Sequence, residues 1–285
     1  VTQPSFTSEI STSDNSKLQV VTSANFLYEF TQHIGNEMID VTLLVPMGVD
    51  PHDWEPTIRD TERLQKSDMI IINGIGYEHW IGSLELTGIA GILVDTSNGI
   101  STLDSIKYDE EKHDDDAKED GHDEHTEEDE RNHGALDPHI WLNPVYAQLQ
   151  VKNIANALSN SDPTNKNYYQ SNAAIYNQEL NLLDTKIRTE LSGCTTDFIT
   201  FHDAFSYFSE EYGLTQHTII SSTDSHGEVT LQTLENIISL ARELNIKVIF
   251  AEESTSTKTS QVIADEIGGK VLVLSPLEIV SDETY

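Results

Sequence analysis

The sequence predicts an α/β protein of two lobes, each built on a parallel sheet, with one long helix joining them. Three observations carry this. Short apolar runs alternate with stretches of helical spacing, the pattern of a parallel sheet flanked by helices. The run MIIIN (69–73) is almost wholly apolar, as a parallel strand buried on both faces requires. The alternation gives way to a long helical stretch and then resumes, so the chain carries the same pattern twice.

In chain order, residues 1–17 are rich in Ser and Thr with little periodic apolar content and read as a flexible tether. LQVVTSA (18–24) is a strand, and Phe26, Leu27, Phe30 and Ile34 follow at helical spacing up to Gly35. VTLLVPM (41–47), MIIIN (69–73) and GILVDTS (91–97) are further strands, with a polar helix carrying Ile58 and Leu64 after Pro56. Pro163 marks a break or a helix start. Beyond it Ala173, Tyr176, Leu180, Leu183, Ile187 and Leu191 recur at spacings of three and four. A helix across 164–192 would span roughly 40 Å at 1.5 Å per residue, a rigid connector between two lobes. FITF (198–201), HTIIS (217–221), KVIFAE (247–252) and KVLVLS (270–275) are the second set of strands, and Leu231, Leu234, Ile237, Ile238, Ala241 and Leu244 form a helical stripe between two of them. The expected organisation is a first lobe over 18–145, a linker with the long helix over 146–193 and a second lobe over 194–285. Ligands of such sheets bind beyond the carboxyl ends of the strands, which between two lobes is a cleft.

Charge narrows the partners. The 285 residues carry a net charge of −33, which argues against nucleic acid and suits a protein that meets cations. Cys194 is the only cysteine, so an intramolecular disulfide and a cysteine-rich zinc site are both excluded and any zinc would be held by His and carboxylates. No apolar run is long enough to span a membrane. The chain opens on Val1 without a basic start or apolar run, which reads as a leader removed or left out.

Segment 109–134 breaks the rhythm. Fourteen acids face three bases, and His113, His122, His125 and His133 are interleaved. With no apolar residue of any size to bury, it reads as a self-repelling disordered loop.

Three other histidines sit at fixed turns or strand ends. His52 follows the strand 41–47 in VPMGVDPHDWEPT, His139 lies in LDPHIWLNP after the acidic loop, and His202 directly follows the strand 198–201. Imidazole is the commonest zinc ligand and binds as the neutral base. Three histidines leave one position, and Glu278, just after the strand 270–275, is the candidate to fill it. Asp203 and Glu252 are candidates to orient the imidazoles by hydrogen bonds, and Trp54, Trp80, Trp141 and Glu78 read as packing and supporting residues.

GVDPHDWEPT, NGIGYEHWI, DPHIWLNP and FHDAFSYFSEEYGL together resemble the zinc/manganese solute-binding proteins of ABC importers, from about residue 18 to 285. The resemblance implies two lobes joined by a backbone helix, with Zn(II) carried in the interlobe cleft and passed to a membrane permease. His52, His139 and His202 match the three histidine ligand positions. Glu278 matches the Glu that follows Pro-Leu in some zinc-specific members, although Ser275 stands where many members have Asp or Asn. The acidic loop resembles an insertion of zinc importers, and its histidines would collect metal weakly. The resemblance also implies an extracytoplasmic, monomeric protein, anchored through a segment before Val1 and continuing past Tyr285 into a final helix.

Metal type follows from ligand type. Three nitrogens and one carboxylate favour tetrahedral zinc, whereas manganese takes more oxygen, and manganese importers of this family tend to have an acid in place of the third histidine. The alternatives are a manganese-binding importer subunit, a zinc hydrolase, or a surface adhesin. No HExxH motif or nucleophile elbow supports an enzyme, and no sequence feature supports an adhesin.

Overall fold

The computed structural model describes residues 17–46, 48–49, 51–52, 54–82, 88–103, 136–220, 229–252 and 257–279. Their strands form two four-stranded sheets, each wholly parallel. The first contains β1 (Leu18–Thr22), β2 (Ile39–Leu43), β3 (Met69–Ile72) and β4 (Ile92–Asp95) in the order β2-β1-β3-β4. The second contains β5 (Asp197–Thr200), β6 (Thr215–Thr218), β7 (Val248–Ala251) and β8 (Lys270–Val273) in the order β6-β5-β7-β8. Both sheets therefore change winding direction at one place, between β1 and β3 and between β5 and β7. A crevice opens there beyond the strand ends.

The fully buried strand expected at 69–73 is present. Met69 and Ile71 enter one core cluster, and Ile70 and Ile72 enter another on the opposite face. Burial of all four follows from helices or loops covering both faces. β2 starts two residues earlier than expected, and the apolar Leu44 and Val45 beyond it pack under Trp54 and Trp80 as loop residues.

The helices are α1 (Asn25–Gly35), α2 (Ile58–Lys66), α3 (Pro144–Ser161), α4 (Lys166–Leu191), α5 (Ser206–Tyr212), α6 (Leu231–Glu243) and α7 (Thr257–Ile267). α2 starts on a capping box in which Thr57 and Asp60 satisfy each other's backbone N–H. The connector contains two helices. α3 begins where Asn143 accepts from the N–H groups of Val145 and Tyr146, with Pro144 preset for the first turn. A 3-10 turn at Pro163–Asn165 then leads into the 26-residue α4. Tyr169, Ala173, Tyr176 and Leu180 bury one stripe of α4 against α1 and α3, while Leu183, Ile187 and Leu191 farther along are only half-buried. Near its end Arg188 pairs with Glu211 of α5. α4 thus lies along the first lobe and reaches the second with its last turns. In α6, Ile237 and Ala241 are buried, but Leu231 is 80% exposed because it sits at the first turn, beyond the edge of the core.

The first lobe's main core does not stop at its own boundary. Trp141 stacks on Phe26 with ring centroids 4.1 Å apart, and Ala204 and Phe205 of the second lobe join the same cluster. The histidines expected to collect metal in the acidic loop, His113, His122, His125 and His133, lie outside the described residues, as does most of the 1–17 tether.

Candidate metal centre

His52, His139, His202 and Glu278 converge. One ligand atom from each lies within 4.8 Å of every other. They come from four separate segments, two in each lobe. His139 and His202 are fully buried, Glu278 is nearly so, and His52 is half-buried at the edge.

Each of these four side chains is placed by its local sequence. His52 sits on the loop after β2 between the buried Pro51 and Trp54, which packs edge-on against Trp80, and its ring meets Tyr77 edge-on at 5.5 Å. His139 precedes a 3-10 turn at Ile140–Leu142 that runs into the Asn143 cap of α3. His202 lies two residues past β5 and Glu252 one residue past β7, on the two strands that flank the second crevice. Glu278 follows Leu277, whose φ of 60° is left-handed. That conformation costs a non-glycine residue on the order of 1 kcal/mol. It is held by Ser275 Oγ, which accepts from Leu277 N–H at 3.1 Å, and by Trp141 Nε1–H, which donates to the Pro276 carbonyl at 2.7 Å. Ser275 thus caps the turn that presents the carboxylate.

Carboxylates orient the rings. Glu252 Oε1 lies 2.6 Å from His202 Nδ1, and Asp137 Oδ1 lies 2.7 Å from His139 Nδ1. A carboxylate on Nδ1 keeps the proton there and aims the Nε2 lone pair away. His202 Nε2 is buried and has no hydrogen-bond partner among the described residues. Glu278 Oε1 lies 2.9 Å from His52 Nε2 and 3.1 Å from His139 Nε2. Asp203, the other expected orienting residue, accepts from Ser206 Oγ at 2.9 Å near the start of α5. Asp137 was not expected in this role. Its signal was available, because an acid two residues before a ligand histidine can turn back onto Nδ1.

Three buried carboxylates, Asp137, Glu252 and Glu278, thus face the imidazoles. Buried anions are costly unless cations meet them. Burial alone disfavours a charged His139, but Asp137 and then Glu278 outweigh it and push the ring's pKa up to about 10. Burial would raise the Glu278 carboxyl, yet His52 and His139 hold it well below the usual carboxylate range. The cavity is a site for positive charge, supplied by protons or by a metal ion. The donors are three imidazole nitrogens and one carboxylate, the set that suits tetrahedral zinc.

Beneath the site lies a second layer. Glu78 Oε1 accepts from Ser23 Oγ at 2.5 Å and Asn73 N–H at 2.8 Å, and Oε2 accepts from Gly74 N–H at 3.0 Å. Burial pushes this carboxyl up to about 7 despite those donors. Ser23 and Asn73 follow β1 and β3, so this knot occupies the first lobe's crevice. Asn73 Nδ2 donates to the Pro138 carbonyl at 2.8 Å, next to His139.

Replacing Glu252 by Gln leaves ring and ligand in place but removes the charge that steadies the His202 tautomer. Zinc affinity is expected to fall roughly ten- to a hundredfold, read by competition with a chelator, while the far-UV circular dichroism stays that of the parent.

Two parallel-sheet lobes with a buried cluster of donors between them that could hold a metal ion fit a metal-binding solute-binding protein. The chain matches the family described as "Zinc-uptake complex component A periplasmic" over residues 20–285, and it belongs to that family. It is 39% identical over 274 residues to the high-affinity zinc uptake system protein ZnuA of Bacillus subtilis, covering 95% of this chain and 82% of that protein. It is 32% identical to the zinc-binding protein AdcA of Streptococcus pyogenes, covering 94% of this chain but spanning only 52% of AdcA. The fold matches the crystal structure of the metal-dependent lipoprotein YcdH from Bacillus subtilis with a TM-score of 0.75 at 37% identity, covering 93% of this chain and 90% of the other. A crystal structure of ZnuA matches with a TM-score of 0.76 at 30% identity, covering 92% of each chain. The family is one of solute-binding components, not of enzymes.

Proposed function

We propose that this chain captures one Zn(II) with His52, His139, His202 and Glu278 and delivers it to the permease of an ABC importer outside the cytoplasm. The observation that carries the reading is the convergence of these four donors, from both lobes, within 4.8 Å. Membership of the zinc-uptake family and the names of ZnuA and AdcA support zinc as the cargo. We further propose that the protein acts as a monomer tethered to the cell surface, and that it does not bind nucleic acid.

Competition of the purified protein against a zinc chelator tests the site. The expected result is one tight equivalent for the parent and none for His139→Ala. Equal tight binding by both would overturn the assignment. Bound zinc should also protect the fold. Free zinc at a thousandfold excess over Kd stabilises the bound form by about 4 kcal/mol, seen as a rise in Tm that His139→Ala lacks.

The acidic segment 109–134 supports a second role. Its interleaved carboxylates and His113, His122, His125 and His133 can hold divalent ions weakly without fixed geometry. Deleting 109–133 is expected to spare the tight equivalent and remove only weaker ones. Loss of the tight site would contradict that division of labour.

A further inference from the structure

We infer that Tyr207 is a positioning residue that sets the spacing between His139 and His202, and with it the fit of the metal. The inference rests on the zinc-site reading above. Tyr207 is fully buried on α5, five residues after His202. Its hydroxyl donates to the Asp137 carbonyl at 2.7 Å and accepts from Leu103 N–H at 3.0 Å. Asp137 N–H in turn donates to the Leu103 carbonyl at 3.0 Å. One phenol from the second lobe therefore ties together two strands of chain from the first.

Asp137 is the residue whose carboxylate holds His139 Nδ1 and also accepts from His139 N–H at 2.9 Å. The neighbouring Pro138 carbonyl is held from the other side by Asn73, whose own side-chain oxygen accepts from Gln150 at 3.0 Å. The tripeptide that presents His139 is thus gripped from both lobes, by Asn73 of the first and Tyr207 of the second. On the Tyr207 side the grip is continuous with His202. The segment 202–207 is short, the Ala204 N–H donates to the His202 carbonyl at 3.1 Å, and Ala204 and Phe205 are locked into the first lobe's core. The path from His202 to Tyr207, across one hydrogen bond to Asp137 and on to His139, therefore fixes the bite of the two buried imidazoles, whose ring centroids are 5.3 Å apart. Tyr207 also packs edge-on against Tyr146 at 5.7 Å, so its ring position does not depend on the hydroxyl.

Removing the hydroxyl alone should loosen the bite without unfolding the lobe. Tyr207→Phe is expected to weaken zinc binding roughly tenfold, the lower end of what loss of an outer partner costs a metal site. With Co(II) as the probe, its d–d absorption should shift and lose intensity as the tetrahedral set relaxes. Tyr169→Phe is the control. Tyr169 is a buried tyrosine whose hydroxyl bonds Asp162 at 2.8 Å, in the connector and remote from the site. It should lower Tm while leaving both the zinc Kd and the Co(II) spectrum unchanged. If Tyr207→Phe lowers Tm like Tyr169→Phe but keeps the parent's Kd and spectrum, the inference is overturned and the site stands. If the parent and His139→Ala bind zinc equally, the site and this inference fall together.

Discussion

Replacing His202 by Ala is expected to weaken zinc binding by at least about a hundredfold. The bound follows from comparison with an outer partner. Losing a residue that only orients a ligand costs ten- to a hundredfold, and His202 is itself one of the four proposed ligands. The substitution also takes from Glu252 the ring it faces at 2.6 Å, so the apo protein should be less stable as well. A hundredfold loss corresponds to about 2.7 kcal/mol of binding free energy. His33→Ala is the control, since His33 lies on α1 stacked on Tyr176 and touches none of the four ligands. Titration with zinc against a chelator separates the two variants. Parent-like affinity in His202→Ala would remove the second lobe's histidine from the site.

The second large effect is pH. Burial opposes a charged His139, but Asp137 and Glu278 outweigh it and push the ring's pKa up to about 10, so the metal-free site is expected to hold a proton there across the neutral range. Zinc needs the Nε2 lone pair that this proton occupies, so each ion bound expels at least one proton. Affinity then falls about tenfold for each pH unit lost, or roughly a hundredfold between pH 8 and pH 6. The apo fold runs the other way. His139, with its raised pKa, stabilises fully below its ordinary value of 6.5, and that contribution is lost as pH rises toward 10. Glu278, with its lowered pKa, stabilises above its ordinary value of 4.5, and its contribution is lost as pH falls toward the depressed value. Between 4.5 and 6.5 the pair holds the empty site best, while zinc binds best above that window. Calorimetric titration in buffers of different ionisation enthalpy counts the protons. The expected count is about one or more per zinc, and a count of zero with a pH-independent Kd would contradict the protonated His139.

The fold was legible because its strands are apolar runs set between helical stripes. MIII at 69–72 could be read as doubly buried from composition alone. The connector was less legible. α3 carries Asn143-Pro144, a strong start signal, but its apolar residues blend into the stripe of α4 until the 3-10 turn at Pro163–Asn165 separates them. Leu231 was counted in a stripe it does not bury, because periodicity marks a face and not how far the core extends under it. In the site, His52, His139, His202 and Glu278 were each readable as strand-end or turn residues. What sequence spacing could not show is that Glu252 meets the His202 ring, whereas Asp137, two residues before His139, left a readable signal. Glu252 reaches His202 across fifty residues through the β5–β7 pairing, and Asp137 reaches His139 by a two-residue turn. Tyr207 was hidden for the same reason, since its partners Asp137 and Leu103 lie in the other lobe.

The most direct test of the four-ligand site is zinc K-edge X-ray absorption on protein loaded with one equivalent of Zn(II). The expected spectrum is four-coordinate, with imidazole nitrogens near 2.0 Å and one carboxylate oxygen at roughly 2.0–2.2 Å, three rings giving the outer-shell scattering, and a visible loss of that scattering in His139→Ala. A six-coordinate, oxygen-dominated shell, or a spectrum that His139→Ala leaves unchanged, would contradict it.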